Sequence, residues 1–89
     1  MRKTNDLIIR FWAIAKSAGY PNPDSFKETM EKTQGLKPDT TQAYLNYLGT
    51  SRFWPETFEQ AIIALLGESE QLSDLIADDK LNKKQVVKF

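Results

Sequence analysis

Gln42 and Asn46 stand one helical turn apart in the stretch "KPDTTQAYLNYLG". A carboxamide carries both donors and an acceptor, so two of them at this spacing can hydrogen-bond to a partner lying along one helix face. Thr41, Tyr44, Leu45 and Leu48 follow at i, i+3, i+4 and i+7 and predict the inward side of that helix, which leaves Thr40, Gln42, Ala43, Asn46 and Tyr47 on the other. A helix face that only meets water is usually dressed in Lys and Glu; this one is polar and nearly uncharged. Its chemistry is that of recognition by hydrogen bonds.

Catalytic chemistry is poorly provided for. The chain has no Cys and no His, which excludes disulfides, the usual zinc sites and any dyad or triad built on thiolate or imidazole. Its carboxylates fall on the polar side of helical patterns, away from apolar surroundings that would raise their pKa values. No glycine loop of the phosphate-cradling kind is present. Neither enzymatic activity nor a cofactor or metal is expected.

The 89 residues suffice for one domain, in which each large apolar side chain matters. The formal net charge is zero, but it is unevenly spread. Residues 1–37 carry seven Lys or Arg against four acids, and the remainder balances this with an excess of acid; Glu56 to Asp79 holds seven carboxylates and no base. A polyanion would approach the first half. The N-terminal apolar run is interrupted by Arg10 and Lys16, unlike a signal peptide or a membrane span, so a cytoplasmic protein without membrane contact is expected.

The elements that must position the amide face are legible from punctuation and period. Leu7, Ile8, Phe11, Trp12, Ile14 and Ala15 predict a helix from Asp6 to Ala18, stopped by Gly19. Asn22 or Asp24 can cap a second helix from Pro23 to Gln34, with Ser25 and Glu28 at capping-box spacing and Phe26, Met30 and Thr33 inward. Gly35 ends it. Pro38 suits the first turn of the third helix, and Gly49 its end. Pro55 opens a fourth, with Phe58, Ile62, Leu65 and Leu66 inward, closed by Gly67. "ESEQLSDLIADD" predicts a short fifth helix burying Leu72, Leu75 and Ile76. Phe11, Trp12, Phe53 and Trp54 read as core rather than as base-stacking residues, because no basic groove interleaves them. In the tail, residues 80–89, "KKQVVKF" alternates enough to form a short strand that could pair two copies.

Two helices joined by a tight glycine turn, the second presenting small polar side chains, make the helix-turn-helix pattern. The order "IIRFWAIAKSAG", "SFKETMEKTQGLKPDTTQAYLNYLG", "WPETFEQAIIALLG", "SEQLSDLI" resembles the lambda-repressor/Cro-like (XRE-type) family as a divergent member. The resemblance covers about residues 5–79 and implies an all-α, five-helix domain over residues 1–79 with helices 2 and 3 as its helix-turn-helix. Gly35 matches the family's turn glycine, Leu36 the apolar residue after it, and Tyr44 with Leu45 the inward pair of the recognition helix. Glu31 and Thr41 stand where the family commonly has Ala and a β-branched aliphatic residue.

The resemblance implies double-stranded DNA as partner, a homodimer, and a role in transcription regulation as a repressor-like protein. It also implies that Lys37, Thr40, Gln42, Ala43 and Asn46 face bases or phosphates, with Arg52 in the loop that follows. Gln42 and Asn46 could each pair with N6 and N7 of adenine. The near-zero charge and acidic second half keep a second class open: a helical domain on the same scaffold that binds a protein partner, as an inhibitor, antitoxin-like protein or adaptor.

Overall fold

The first helix, α1 (Lys3–Ser17), follows from its apolar spacing: Leu7, Phe11 and Ala15 are buried along one side. The computed structural model describes residues 3–87, and the side chains of residues 6–84. Gly19, at φ 107°, reverses the chain after α1, with the Tyr20 amide donating back to the Ala15 carbonyl at 2.9 Å. That left-handed turn is the geometry glycine supplies without a Cβ penalty.

α2 (Pro23–Gln34) starts where Asn22 Oδ1 accepts from the Ser25 amide at 2.8 Å, so Asn22 is the cap, and the Ser25–Glu28 box does not form. Glu28 instead lies 3.9 Å from Lys32. Phe26 and Met30 are buried, whereas Thr33 and Glu31 are exposed. Thr33 returns its hydroxyl to the Thr29 carbonyl at 2.8 Å, one turn back. Gly35 (φ 72°) ends α2, and only three residues separate it from α3 (Pro38–Leu45), which packs against it.

α4 (Glu56–Leu66) and α5 (Glu70–Val87) complete the fold, giving five helices and no strand among the described residues. The centre is aromatic. Phe11 meets Trp12 at 5.0 Å, Phe26 at 5.5 Å and Trp54 at 6.4 Å between centroids, and Phe58 joins Trp54 at 5.0 Å and Tyr44 at 4.9 Å. Fully buried rings of this size each contribute on the order of 2–3 kcal/mol, the edge-to-face geometry adding to it. Phe53, expected in this core, lies outside it at 51% exposure. Its ring faces Lys83 rather than its aromatic neighbours.

Two helix lengths differ from expectation for one reason. α3 stops at Leu45 instead of running to Gly49, and residues 46–49 form tight turns. α5 passes through position 80 without interruption, so residues 81–87 are helix. The expected dimerising strand is absent from that range; Lys88 and Phe89 lie outside the described residues. Asp79, Asn82 and Lys83 share one side of α5 at i, i+3 and i+4, and all three bond to the 47–49 turn. A polar inward stripe prolongs α5 where apolar periodicity gives no sign of it. No described helix is long and apolar enough to cross a membrane.

Candidate nucleic-acid interface

α3 is seated by Thr41 and Leu45 of its own and by Leu48 of the turn after it, and is held at its C-terminal end by residues from elsewhere. Thr41, Leu45 and Leu48 are buried, with Tyr44 half-buried beside Phe58. The last carbonyls of a helix lack intrahelical donors. Here Trp54 Nε1 donates to the Tyr44 carbonyl at 2.6 Å. The Tyr47 carbonyl accepts from Lys83 Nζ at 3.1 Å and from Thr50 Oγ1 at 2.6 Å, and the Gly49 carbonyl accepts from Asn82 Nδ2 at 3.2 Å. The Gly49 amide donates to Asp79 Oδ1 at 2.7 Å. Lys83 and Asp79 also pair directly, both buried. A buried ion pair is tolerated when further hydrogen bonds satisfy its remaining atoms, and here the turn backbone supplies them.

With the inward side so fixed, the outward side has a definite layout. Gln42 is half-buried and Asn46 exposed, and Gln42 Nε2 donates to Asn46 Oδ1 at 2.9 Å. The two amides therefore act as one unit with a set orientation. Gln42 Oε1, one Nε2 hydrogen and both Asn46 Nδ2 hydrogens remain for a partner. Asn46 occupies the C-cap of α3, so its side chain leaves from the helix end rather than from mid-face.

Ala43 is exposed and Thr40 half-buried, while Lys37 is exposed at the N-cap with no side-chain capping bond. Arg52, in the loop before α4, is exposed and stacks its guanidinium over Tyr47 at 4.9 Å from the ring centroid. Tyr47 in turn meets Tyr44 edge-on at 5.6 Å. The six residues thus comprise a joined pair, two residues flanking it on α3, and one cation beyond each end of the helix.

Sequence reasoning missed three contributors. Asp39 is exposed in the first turn of α3 and puts a carboxylate on the otherwise uncharged face; its place on the outward arc was available from the period alone. Tyr47 serves as the platform for Arg52. The Asp79–Lys83 pair, thirty or more residues away, positions the turn that carries Tyr47. An i, i+4 acid–base pair is the ordinary dress of a solvated helix, so nothing in the sequence separates this pair from surface decoration.

Beside α3 an adjoining groove of about 210 Å³ is lined by Gln34, Leu36, Tyr44, Thr57, Phe58 and Ala61. Among the described residues no cluster of acidic or other ligating side chains could hold a metal ion. No protein-family model, curated protein or solved structure matches the chain.

Proposed function

We propose that the protein is a small sequence-specific DNA-binding regulator in which α2 and α3 act as a helix-turn-helix, α3 enters the major groove, and the protein works by binding rather than catalysis. The observation that carries this reading is the hydrogen-bonded Gln42–Asn46 pair at the C-terminal end of α3, with Lys37 before it and Arg52 after it. Amides with spare donors and an acceptor suit base edges, and cations at the two ends suit the phosphates on either side of a groove. The exposure of Glu31 supports it too, because α2 and α3 pack together with Met30 and Thr41 buried and no carboxylate of α2 buried. With so few bases, affinity of one copy for phosphate is small, so the regulator acts as a homodimer on a two-fold-related site.

A second reading, a protein-binding domain on the same scaffold, is favoured by a different observation. Asp39 on the α3 face opposes phosphate, and the adjoining groove past Tyr44 is lined by both apolar and polar side chains, Leu36, Phe58 and Ala61 with Gln34 and Thr57. The test between them is binding to random duplex DNA across a salt series, followed by a gel shift on the gene's own upstream promoter. The DNA reading expects affinity to fall steeply with salt and a preferred site to emerge. Weak binding that is flat with salt, and no preferred site, would leave the protein-binding reading.

A further inference from the structure

We infer that the face formed by α1 and α5 binds a second copy of this chain, through two identical seams in which α1 of each copy lies antiparallel on α5 of the other. Asp6, Ile9, Ala13 and Lys16 lie along one outward stripe of α1, at spacings of three, four and three residues, and all are exposed. Asp74, Ala77, Leu81 and Lys84 lie along an outward stripe of α5 with the same spacings, and all are exposed too. That spacing is the seam along which helices pack in pairs. Ile9 (66% exposed) and Leu81 (58%) are two of the three large apolar side chains most open to solvent among the described residues.

The stripes are complementary in a single orientation. Laid antiparallel, Asp6 meets Lys84, Ile9 meets Leu81, Ala13 meets Ala77 and Lys16 meets Asp74. Laid parallel, Asp6 would meet Asp74 and Lys16 would meet Lys84. None of these four charges is in an ion pair within the chain among the described residues, where Arg10–Asp78, Lys32–Glu28, Lys80–Glu59 and Lys83–Asp79 are formed.

Symmetry supplies an independent check. Within one copy, α1 and α5 are already antiparallel, since Arg10 donates to Asp78 at 2.8 Å while Ser17 and Gln71 line the same groove. A two-fold axis parallel to these helices stacks α1 on the partner's α5 at unchanged height, so the register between copies must equal the register within one. The Arg10–Asp78 contact places the two registers within about one helical turn of each other, roughly 5 Å of rise. The groove between α1 and α5, about 300 Å³ and lined by Ala13, Ile14 and Asp74 among others, then faces its own copy across the axis.

The paired helices offer a face about 16 Å long and about 20 Å wide, roughly 300 Å² on each copy, which is smaller than a standard specific interface and of the size of weak, transient pairs. A weak, reversible dimer follows. The homodimer of the DNA reading would use this face, but the seam forms between protein surfaces alone. Its test therefore needs no DNA.

Sedimentation equilibrium of the full chain over a wide concentration range should show a mass rising from one chain to two. Leu81→Asp and Ile9→Asp should each weaken the dimer by about tenfold or more, with helicity retained and the fold intact at concentrations where the chain is a monomer, because both sites are exposed in a single copy. Lys16→Glu alone should weaken it, and Lys16→Glu with Asp74→Lys should restore it, because the swapped charges meet again across the seam. A chain that stays monomeric at millimolar concentration would overturn the proposal. So would a dimer unaffected by Leu81→Asp and Ile9→Asp in folded protein, or a charge swap that fails to rescue. Loss of DNA binding with the dimer intact would count against the DNA reading alone.

Discussion

The ammonium of Lys83, on α5, lies 3.1 Å from the carbonyl oxygen of Tyr47, in the turn after α3, and is fully buried there. Asp79, one turn earlier on α5, pairs with that ammonium and accepts from the Gly49 amide at 2.7 Å. One helix end thus fastens the element that carries the candidate site. Lys83→Ala would leave the Asp79 carboxylate buried without its cation and cut the tie from α5 to the Tyr47 carbonyl, which would keep only its local donors from Thr50. Breaking such a pair costs about 3–5 kcal/mol, a large share of the roughly 4–13 kcal/mol expected for a domain of this length. We predict a thermal midpoint lowered far more than by Lys84→Ala, its exposed neighbour. Equal, small effects from both substitutions would show that the clasp contributes little.

Truncation after Asp79 should likewise destabilise the fold rather than remove a dispensable tail, because Asn82 and Lys83 go with it. Helix unfolding followed by circular dichroism distinguishes the two. A truncated chain that melts like the full one would contradict the account of α5.

How far the sequence discloses this arrangement depends on the signal each part uses. The α2 boundaries are legible at Pro23 and Gly35 because proline and glycine act locally. The core is legible at Phe11, Phe26, Met30, Phe58 and Ile62 because apolar period is an additive signal along one helix. The end of α3 and the extent of α5 are not, since they depend on each other: Lys83 and Asn82 are inward only because Tyr47 and Gly49 offer carbonyls. Phe53 fails for the opposite reason, an apolar residue left outside because Trp54 takes the place against Phe11 and Phe58. For the candidate face, spacing places Gln42 beside Asn46, but the bond between them that restricts how each can be used is visible only in three dimensions.

Thr41 is fully buried, and its hydroxyl has no hydrogen-bond partner. An unsatisfied buried polar group costs about 1–3 kcal/mol, and valine keeps the branched shape without the oxygen. Thr41→Val should therefore raise stability by on the order of 1 kcal/mol, read as a higher denaturant midpoint with an unchanged slope. A lower midpoint would mean that the hydroxyl is satisfied in solution. Leu45→Ala, three-hundredths exposed at the same interface, should act in the other direction by about 2–5 kcal/mol.

The Gln42–Asn46 pair gives the prediction that bears most directly on function. If α3 reads base edges, Gln42→Ala and Asn46→Ala should each cost on the order of 1–3 kcal/mol on the preferred site and much less on random duplex. Lys37→Ala and Arg52→Ala should weaken both, flattening the salt dependence by about one ion each, because phosphate contacts carry no sequence. The hydrogen bond at 2.9 Å adds a further condition. Removing Asn46 frees the Gln42 amide to rotate, so part of what Gln42 contributes is lost with its neighbour, and the double substitution should cost less than the two singles together. Coupling of about 0.5–3 kcal/mol in a double-mutant cycle is the expected size for residues in contact. Additive losses would mean that each amide works alone and the bond between them is incidental. No loss of site preference from either substitution, in folded protein, would remove DNA from the account of this face and leave Asp39 and the groove past Tyr44 as its most informative features.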